Sequence, residues 1–309
     1  MIVFKICEMK FAYLIVAHGS FKLLDKLVVA LDMPKADIFL HVDAKVGFFD
    51  IDRYEHATRY SRVFVIDKRI DVRWGSFSQV EATFCLLEYA KSKGNYDYYH
   101  LISGIDLPIK SNEYILQFFK DNDGKEFVGF DSYYTPQILK KRLGYYHLIN
   151  GNLMKKSKRW YYLNQAIVKI QQIFGVSRKP LYDEYRGGSN WFSITDALVT
   201  ELLKKKDVLL KTYRYTFCPD EAVIQSFIFN SPFYKNVYRL SKDGCMRHVV
   251  FNSYGSCQTW RLEQFDEIMN SPYLFARKFD ENDVELIEKI LRERKSFLQI
   301  NKKKRGDDL

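Results

Sequence analysis

Phe11-Ala12-Tyr13-Leu14-Ile15-Val16-Ala17-His18-Gly19 decides the fold: an apolar strand, Ala12–Ala17, runs into a small-residue turn that opens a helical pattern at Phe21–Leu31. Working outward, further short apolar runs fall at Asp37–Val42, Arg62–Ile66, Tyr98–Ser103 and Glu126–Phe130, and Ser78–Ser92 reads as a helix. In that helix Phe77, Val80, Phe84 and Leu87 recur at i, i+3, i+7 and i+10, so one face packs on a sheet. Strands alternating with helices predict an α/β fold with a mostly parallel central sheet flanked by helices. Between Pro136 and Arg186 the chain turns basic and aromatic, with one helical run around Leu163–Phe174, and reads as an insertion over the sheet. Strand and helices return near 189–195, 196–206 and 219–230; a strand at Arg247–Phe251 and helices at Leu262–Met269 and Asp283–Phe297 follow. With no repeat, low-complexity block or Pro/Gly-rich linker, residues 9–280 are expected to form one domain carrying the 136–186 insertion. A C-terminal helix over 281–300 and a basic, disordered tail over 301–309 complete the expectation, and residues 1–8 read as a dispensable extension.

At 309 residues and 47% hydrophobic composition the chain can bury a sizeable core. Lys and Arg total 48 against 38 Asp and Glu, a formal charge of +10 that favours anionic partners without choosing among phosphates, acidic glycans, nucleic acid and an anionic membrane leaflet. Much of the excess lies in runs such as Lys140-Lys141-Arg142 and Lys302-Lys303-Lys304-Arg305, which also read as solvated helix ends and tail. Cys7, Cys85, Cys218, Cys245 and Cys257 form no CxxC pair and are odd in number, as expected of reduced thiols in a cytoplasmic setting. No stretch approaches the roughly 18 apolar residues of a membrane span.

Ligands of open α/β sheets bind beyond the carboxyl ends of the strands, where backbone N–H groups are exposed. Ala17 and His18 stand at such an end, although His18 also fits a local bonding role. Asp43, ending His41-Val42-Asp43-Ala44-Lys45, either accepts hydrogen bonds from a nucleoside or caps the following turn. Trp74-Gly75-Ser76 precedes the second helix, and Ser103-Gly104-Ile105-Asp106-Leu107-Pro108 closes a strand, with Asp106 bonding a sugar hydroxyl or holding the turn. Gly188-Ser189-Asn190-Trp191-Phe192 combines small residues with a tryptophan that suits a pyranose face or the core. Cys218-Pro219-Asp220-Glu221 is on its own terms a good helix opening, with proline in the first turn and acids on the dipole. Asp50-Ile51-Asp52 and Asp121-Asn122-Asp123 end no strong strand and read as surface turns rather than a metal site.

Taken in order, YLIVAH, HVDAK, WGSFS, LISGIDLPI, GSNWF, CPDEAVIQSFIFNS and FARKF resemble the core-2/I-branching enzymes, β-1,6-N-acetylglucosaminyltransferases with related peptide O-xylosyltransferases. The resemblance covers about residues 11–280. It implies a type A glycosyltransferase fold and an inverting, metal-independent transfer from a UDP-sugar, with no cofactor. Glu221 matches the family's catalytic base, with Cys218 where serine is common, and Asp220 orients its loop or meets a sugar. Lys278 matches the diphosphate-binding lysine, Arg277 sits beside it as in xylosyltransferase-like members, and Arg247 is the candidate matching arginine with Arg261 as the alternative. Ala17, His18, Asp43, Trp74 and Asp106 would shape the donor pocket, while Ser189, Trp191 and Arg142 would meet donor or acceptor sugars. The expected donor sugar is N-acetylglucosamine, with xylose as rival, and the acceptor a glycan or lipid-linked oligosaccharide. A non-catalytic basic module for glycan, membrane or nucleic acid is the rival of another class, and no nucleic-acid motif supports binding there. The family's eukaryotic members are anchored and disulfide-bonded, so a bacterial-type cytoplasmic enzyme is expected, held at the anionic inner leaflet by its basic runs.

Overall fold

The computed structural model describes residues 9–149, 151–252 and 256–296. Its strands are β1 (Phe11–Ala17), β2 (Ala36–Val42), β3 (Arg62–Val65), β4 (Tyr98–Ser103), β5 (Asp106–Pro108), β6 (Phe127–Val128), β7 (Phe192–Thr195), β8 (Arg247–Val249) and β9 (Phe275–Arg277). Six of them form one sheet in the order β3-β2-β1-β4-β7-β6, in which β7 alone runs against the rest. The other three form a small sheet, β5-β9-β8.

Successive side chains of a strand point to opposite faces, and the central strands are apolar on both. Phe11, Tyr13 and Ile15 of β1, with Ile38 and Leu40 of β2, belong to one core layer, which also takes in the helices Phe21–Leu31, Phe265–Asn270 and Val284–Glu293. Ala12 and Leu14, with Phe39, Tyr99 and Leu101, belong to the other layer, against the helices Ser78–Lys93 and Asp196–Lys204. Val80, Phe84 and Leu87 are buried there, on the expected face. Burying each such side chain favours folding by roughly 1.5–3 kcal/mol. The expected α/β architecture, a mostly parallel sheet between helices, is the one observed.

Several boundaries differ, for local reasons. The run Glu126–Phe130 is a strand only at Phe127–Val128, because the Phe130 N–H bonds to the Ser241 carbonyl and leaves the sheet. The segment 219–230 divides into a 3₁₀ turn, Pro219–Glu221, and a helix, Val223–Phe229, since the Glu221 carbonyl accepts from Gly188 N–H at 2.8 Å. Among the described residues the basic insertion carries three helices, Pro136–Leu143, Gly151–Lys156 and Lys158–Ile173. The last helix is Val284–Glu293 with a 3₁₀ turn at Arg294–Ser296; Phe297, residues 1–8 and the 301–309 tail lie outside the described residues. Cys85, Cys218, Cys245 and Cys257 are not joined in disulfides, and Cys7 lies outside the described residues. No described helix is long and apolar enough to cross a membrane.

Glu126 is fully buried where β6 meets β7, accepting from Thr195 N–H at 2.9 Å and Thr195 Oγ at 2.6 Å. Burial pushes its carboxyl up to about 7, against the lowering effect of those bonds. A carboxyl raised in the folded state contributes most below its unfolded value, and that contribution is lost as pH rises toward the folded value. Stability should therefore fall by about 3 kcal/mol between pH 4.5 and pH 8 from this group, at 1.36 kcal/mol per pKa unit. Thermal melts across that range should show the slope in the parent and lose it in Glu126→Gln; an unchanged slope in the variant would exclude Glu126 as its source.

Candidate active site

The carboxyl ends of β1, β2 and β4 share one edge of the main sheet. The chain passes from β1 outward to β2 and later returns to β4 on the other side, which makes β1/β4 the topological switch point where ligands of such sheets bind. Ala17 ends β1, and its carbonyl accepts from Asp43 N–H at 2.8 Å, tying the β1 and β2 ends together. Asp43 is buried; its carboxylate accepts from Lys45 N–H at 2.8 Å and from Lys45 Nζ at 2.7 Å. Of the two roles open to Asp43, these bonds are those of the turn-holding one. His18 is exposed beside it.

β5 begins three residues beyond β4, and its Asp106 lies opposite Arg277 of β9. Asp106 Oδ2 accepts from Ser103 N–H at 2.9 Å, and Oδ1 lies 3.8 Å from Arg277 Nη1 with no hydrogen bond. Burial raises the Asp106 carboxyl, and Arg277 opposes the rise. The Arg277 guanidinium also lies over the Trp191 ring at 4.2 Å, an arrangement favourable to a cation, and its Nη1 is buried without a hydrogen bond. Trp191 thus packs against a cation rather than only against the core. Lys278 follows, half-buried; its carbonyl accepts from Trp260 N–H at 3.0 Å, and its ammonium finds no partner among the described residues.

The segment Gly188–Trp191 links this cluster to the acidic pair. Gly188 N–H meets the Glu221 carbonyl, and Gln225 Nε2 donates to Ser189 O at 2.6 Å. A Cβ on Gly188 would lie 1.9 Å from the Gly129 carbonyl oxygen, so the approach requires glycine. Cys218 takes a left-handed backbone (φ 47°) and donates its N–H to Gly75 O at 2.9 Å, which turns Pro219-Asp220-Glu221 toward that segment. Gly75, at φ 66°, is itself held by Gln79 Oε1 accepting from its N–H at 3.1 Å. Gln79 Nε2 reaches on to Asp220 Oδ2 at 2.9 Å, so the Trp74-Gly75-Ser76 turn and the acidic turn form one frame. Burial, reinforced by the neighbouring Glu221 charge, pushes the Asp220 carboxyl up.

Glu221 Oε2 accepts from Arg142 Nη1 at 2.7 Å. The Arg142 guanidinium lies 5.2 Å from the Tyr134 ring centre and 5.8 Å from that of Phe217. Burial, with Glu221 close by, holds the Tyr134 hydroxyl above its usual range. Trp74 is 43% exposed, edge-on to Phe217, and its N–H donates to Asn152 Oδ1 at 3.0 Å. A cleft of about 440 Å³ opens beside Gly75, lined among others by Arg73, Glu81, His147, Arg214 and Tyr215.

Arg247, the candidate diphosphate arginine, lies in the interior. Its guanidinium is buried and donates to the carbonyls of Cys245 (2.5 Å), Leu101 (3.3 Å) and Phe192 (2.7 Å) and to Ser193 Oγ (3.1 Å), which commits it to the seam between the two sheets. Burial lowers its pKa to about 10, so it stays cationic at neutral pH, yet its Nη donors are spent on the interior. Arg261 is exposed, with Asp280 and Asp283 at 3.8 and 3.9 Å. Asp50, Asp52, Asp121 and Asp123 are all exposed, Asp52 opening a short helix, Asp52–Glu55, and Asp121 ending another, Asn112–Asp121, rather than lying in turns.

Sequence reasoning missed Gln79, which donates to Asp220, and Tyr134, whose ring lies against the Arg142 guanidinium. Each is an ordinary polar residue of a helix or loop whose role exists only through a contact distant in sequence. The one available signal was Gln79 standing four residues after the Gly75 turn.

A family model described as Core-2/I-Branching enzyme matches residues 11–262. The chain belongs to the Core-2/I-branching enzyme family. Xylosyltransferase 2 of Rattus norvegicus is 25% identical over 299 residues, covering 88% of this chain and 32% of its own length. The Homo sapiens beta-1,3-galactosyl-O-glycosyl-glycoprotein beta-1,6-N-acetylglucosaminyltransferase is 28% identical over 224 residues, covering 69% of this chain and 47% of its own. The chain thus spans about a third to a half of these curated relatives. Among solved structures, mouse xyloside xylosyltransferase 1 in its apo form matches with a TM-score of 0.38 and 7% identity, over 86% of this chain and 96% of that one.

Proposed function

We propose that this member of the family is an inverting, metal-independent glycosyltransferase that moves a sugar from UDP to a carbohydrate hydroxyl. The observation that carries the reading is the frame joining Glu221, through Gly188 and Trp191, to Arg277, with Lys278 next in the chain. Glu221 takes the proton of the acceptor hydroxyl as that oxygen forms its bond to the anomeric carbon. The bond from that carbon to the diphosphate oxygen breaks on the opposite face, giving a β-linkage. Arg277 and Lys278, with Arg261 as the further arginine, meet the charge that develops on the departing diphosphate. The β1 and β2 ends, with Ala17 and His18 beside the turn that Asp43 holds, receive the nucleoside, and Ser189 and Trp191, with Asp106 behind Arg277, shape the sugar site. The cleft beside Gly75, next to Trp74 and the Arg142 helix, takes the acceptor glycan.

N-acetylglucosamine is the proposed donor sugar, in keeping with the similarity to the beta-1,6-N-acetylglucosaminyltransferase. Xylose is the second reading, favoured by the fuller coverage of this chain by xylosyltransferase 2. A panel of UDP-sugars assayed for UDP release in EDTA separates them. Turnover of UDP-N-acetylglucosamine above UDP-xylose, unchanged by EDTA, is the expected result. The reverse preference would move the assignment to xylose, loss in EDTA restored by a divalent cation would remove metal independence, and no release from any UDP-sugar would overturn the reading.

A further inference from the structure

Apart from Arg142, the cations of the basic insertion have no part in the proposed sugar transfer. Between Ser132 and Tyr182 there are ten Lys and Arg and no Asp or Glu, so this one segment equals the whole formal surplus of the chain. On its longest helix, Lys158–Ile173, the inward positions Asn164 and Val168 are buried. Asn164 Nδ2 meets His147 Nδ1 at 3.0 Å, and Gln171 pairs with the backbone of Tyr146 at 2.9 Å in both directions, so the helix is fixed to the body of the protein. Its outward side is apolar where a surface helix is ordinarily polar. Trp160, Leu163, Ile170 and Phe174 fall at i, i+3, i+10 and i+14 and are all exposed, Phe174 to 76%, with Ile173 at 70%. Exposed Lys156, Lys158, Arg159, Lys169 and Lys179 lie along the same segment.

We propose that this face is a docking surface for an anionic lipid bilayer. Long aliphatic side chains beside Trp and Tyr, set among cations, suit the boundary between headgroups and acyl chains: rings and aliphatics enter the boundary while Lys and Arg meet anionic headgroups. A second copy of the chain is disfavoured, because a two-fold contact would set one wholly cationic surface against another. A nucleic acid would use the cations but leave Leu163, Ile170, Ile173 and Val176 unpartnered, since aliphatic side chains offer no stacking surface to bases. The docked helix would stand next to the acceptor side of the site: His147, which holds Asn164, also bonds through Nε2 to the Lys141 carbonyl at 3.0 Å, one residue before Arg142. Resting on the glycosyl-transfer reading, the acceptor is then a glycan carried on a lipid and offered to Glu221 from the membrane plane.

The test is co-sedimentation of the full chain with phosphatidylcholine vesicles and with vesicles containing phosphatidylglycerol, at low and high salt. Binding to the anionic vesicles is expected to exceed binding to the neutral ones at least about tenfold and to weaken with salt. Leu163→Ser/Ile170→Ser/Phe174→Ser and Lys158→Glu/Arg159→Glu/Lys169→Glu should each lower it about tenfold or more, while UDP-sugar hydrolysis in solution stays at the parent level. Independently of these variants, vesicles should shift tryptophan emission to the blue in the parent and not in Trp160→Phe. Equal binding to both vesicle types, no binding, parent-level binding by either triple variant, or an unchanged blue shift in Trp160→Phe would each overturn the proposal, as would retention on DNA with none on anionic vesicles. Absence of UDP-sugar hydrolysis alongside intact vesicle binding would strike the glycosyl-transfer reading and leave the docking face standing.

Discussion

Glu221→Gln is expected to lower sugar transfer about a thousandfold while leaving UDP binding within a few-fold of the parent, the range typical of a lost general base. The substitution removes the proton acceptor and almost no volume. The new amide oxygen can still accept from Arg142 Nη1, and the bond from Gly188 to the residue's own carbonyl does not involve the side chain, so the acidic turn should keep its place. Single-turnover transfer and UDP titration measured on the same preparation separate chemistry from donor affinity. Turnover close to the parent would refute Glu221 as the base.

The second large effect is expected at Lys278. Removing one preorganised cation from a developing oxyanion typically costs a hundredfold to a thousandfold in kcat, or about 3–4 kcal/mol. Lys278→Ala should show that loss together with weaker UDP binding, because its ammonium makes no bond among the described residues that folding would miss. Arg277 is the poorer test: replacing it would leave the buried Asp106 carboxyl without its cation and strip the Trp191 ring of its partner, so lost activity would mix chemistry with misfolding. A kcat within twofold of the parent in Lys278→Ala would exclude it from the diphosphate site.

Much of the main sheet was legible because β1, β2 and β4 are apolar on both faces and read as unbroken runs. The helices Phe21–Leu31 and Ser78–Lys93 were legible through their turns and periodic faces. β5 and β9 were not, since strands of three residues carry no periodicity and exist only through each other. The acidic turn read as a helix start because proline followed by acids is that signal; what divides it is a hydrogen bond from Gly188, thirty-odd residues upstream. Arg247 shows the same limit from the other side. A sequence displays a guanidinium but not whether carbonyls of Leu101, Phe192 and Cys245 have already taken its donors. The positions of Glu221, Arg277 and Lys278 could be singled out from their motifs, whereas the Gln79 and Gly188 bonds that hold the acidic turn could not.

The charge of the insertion has one further consequence. Outside residues 132–182 the chain is formally neutral, with 38 basic and 38 acidic residues, so the molecule is electrically lopsided rather than uniformly cationic. A lopsided body turns in the field of a charged surface before touching it. Approach to any polyanion would therefore select one orientation in advance, and raising salt would slow arrival as well as weaken the final contact.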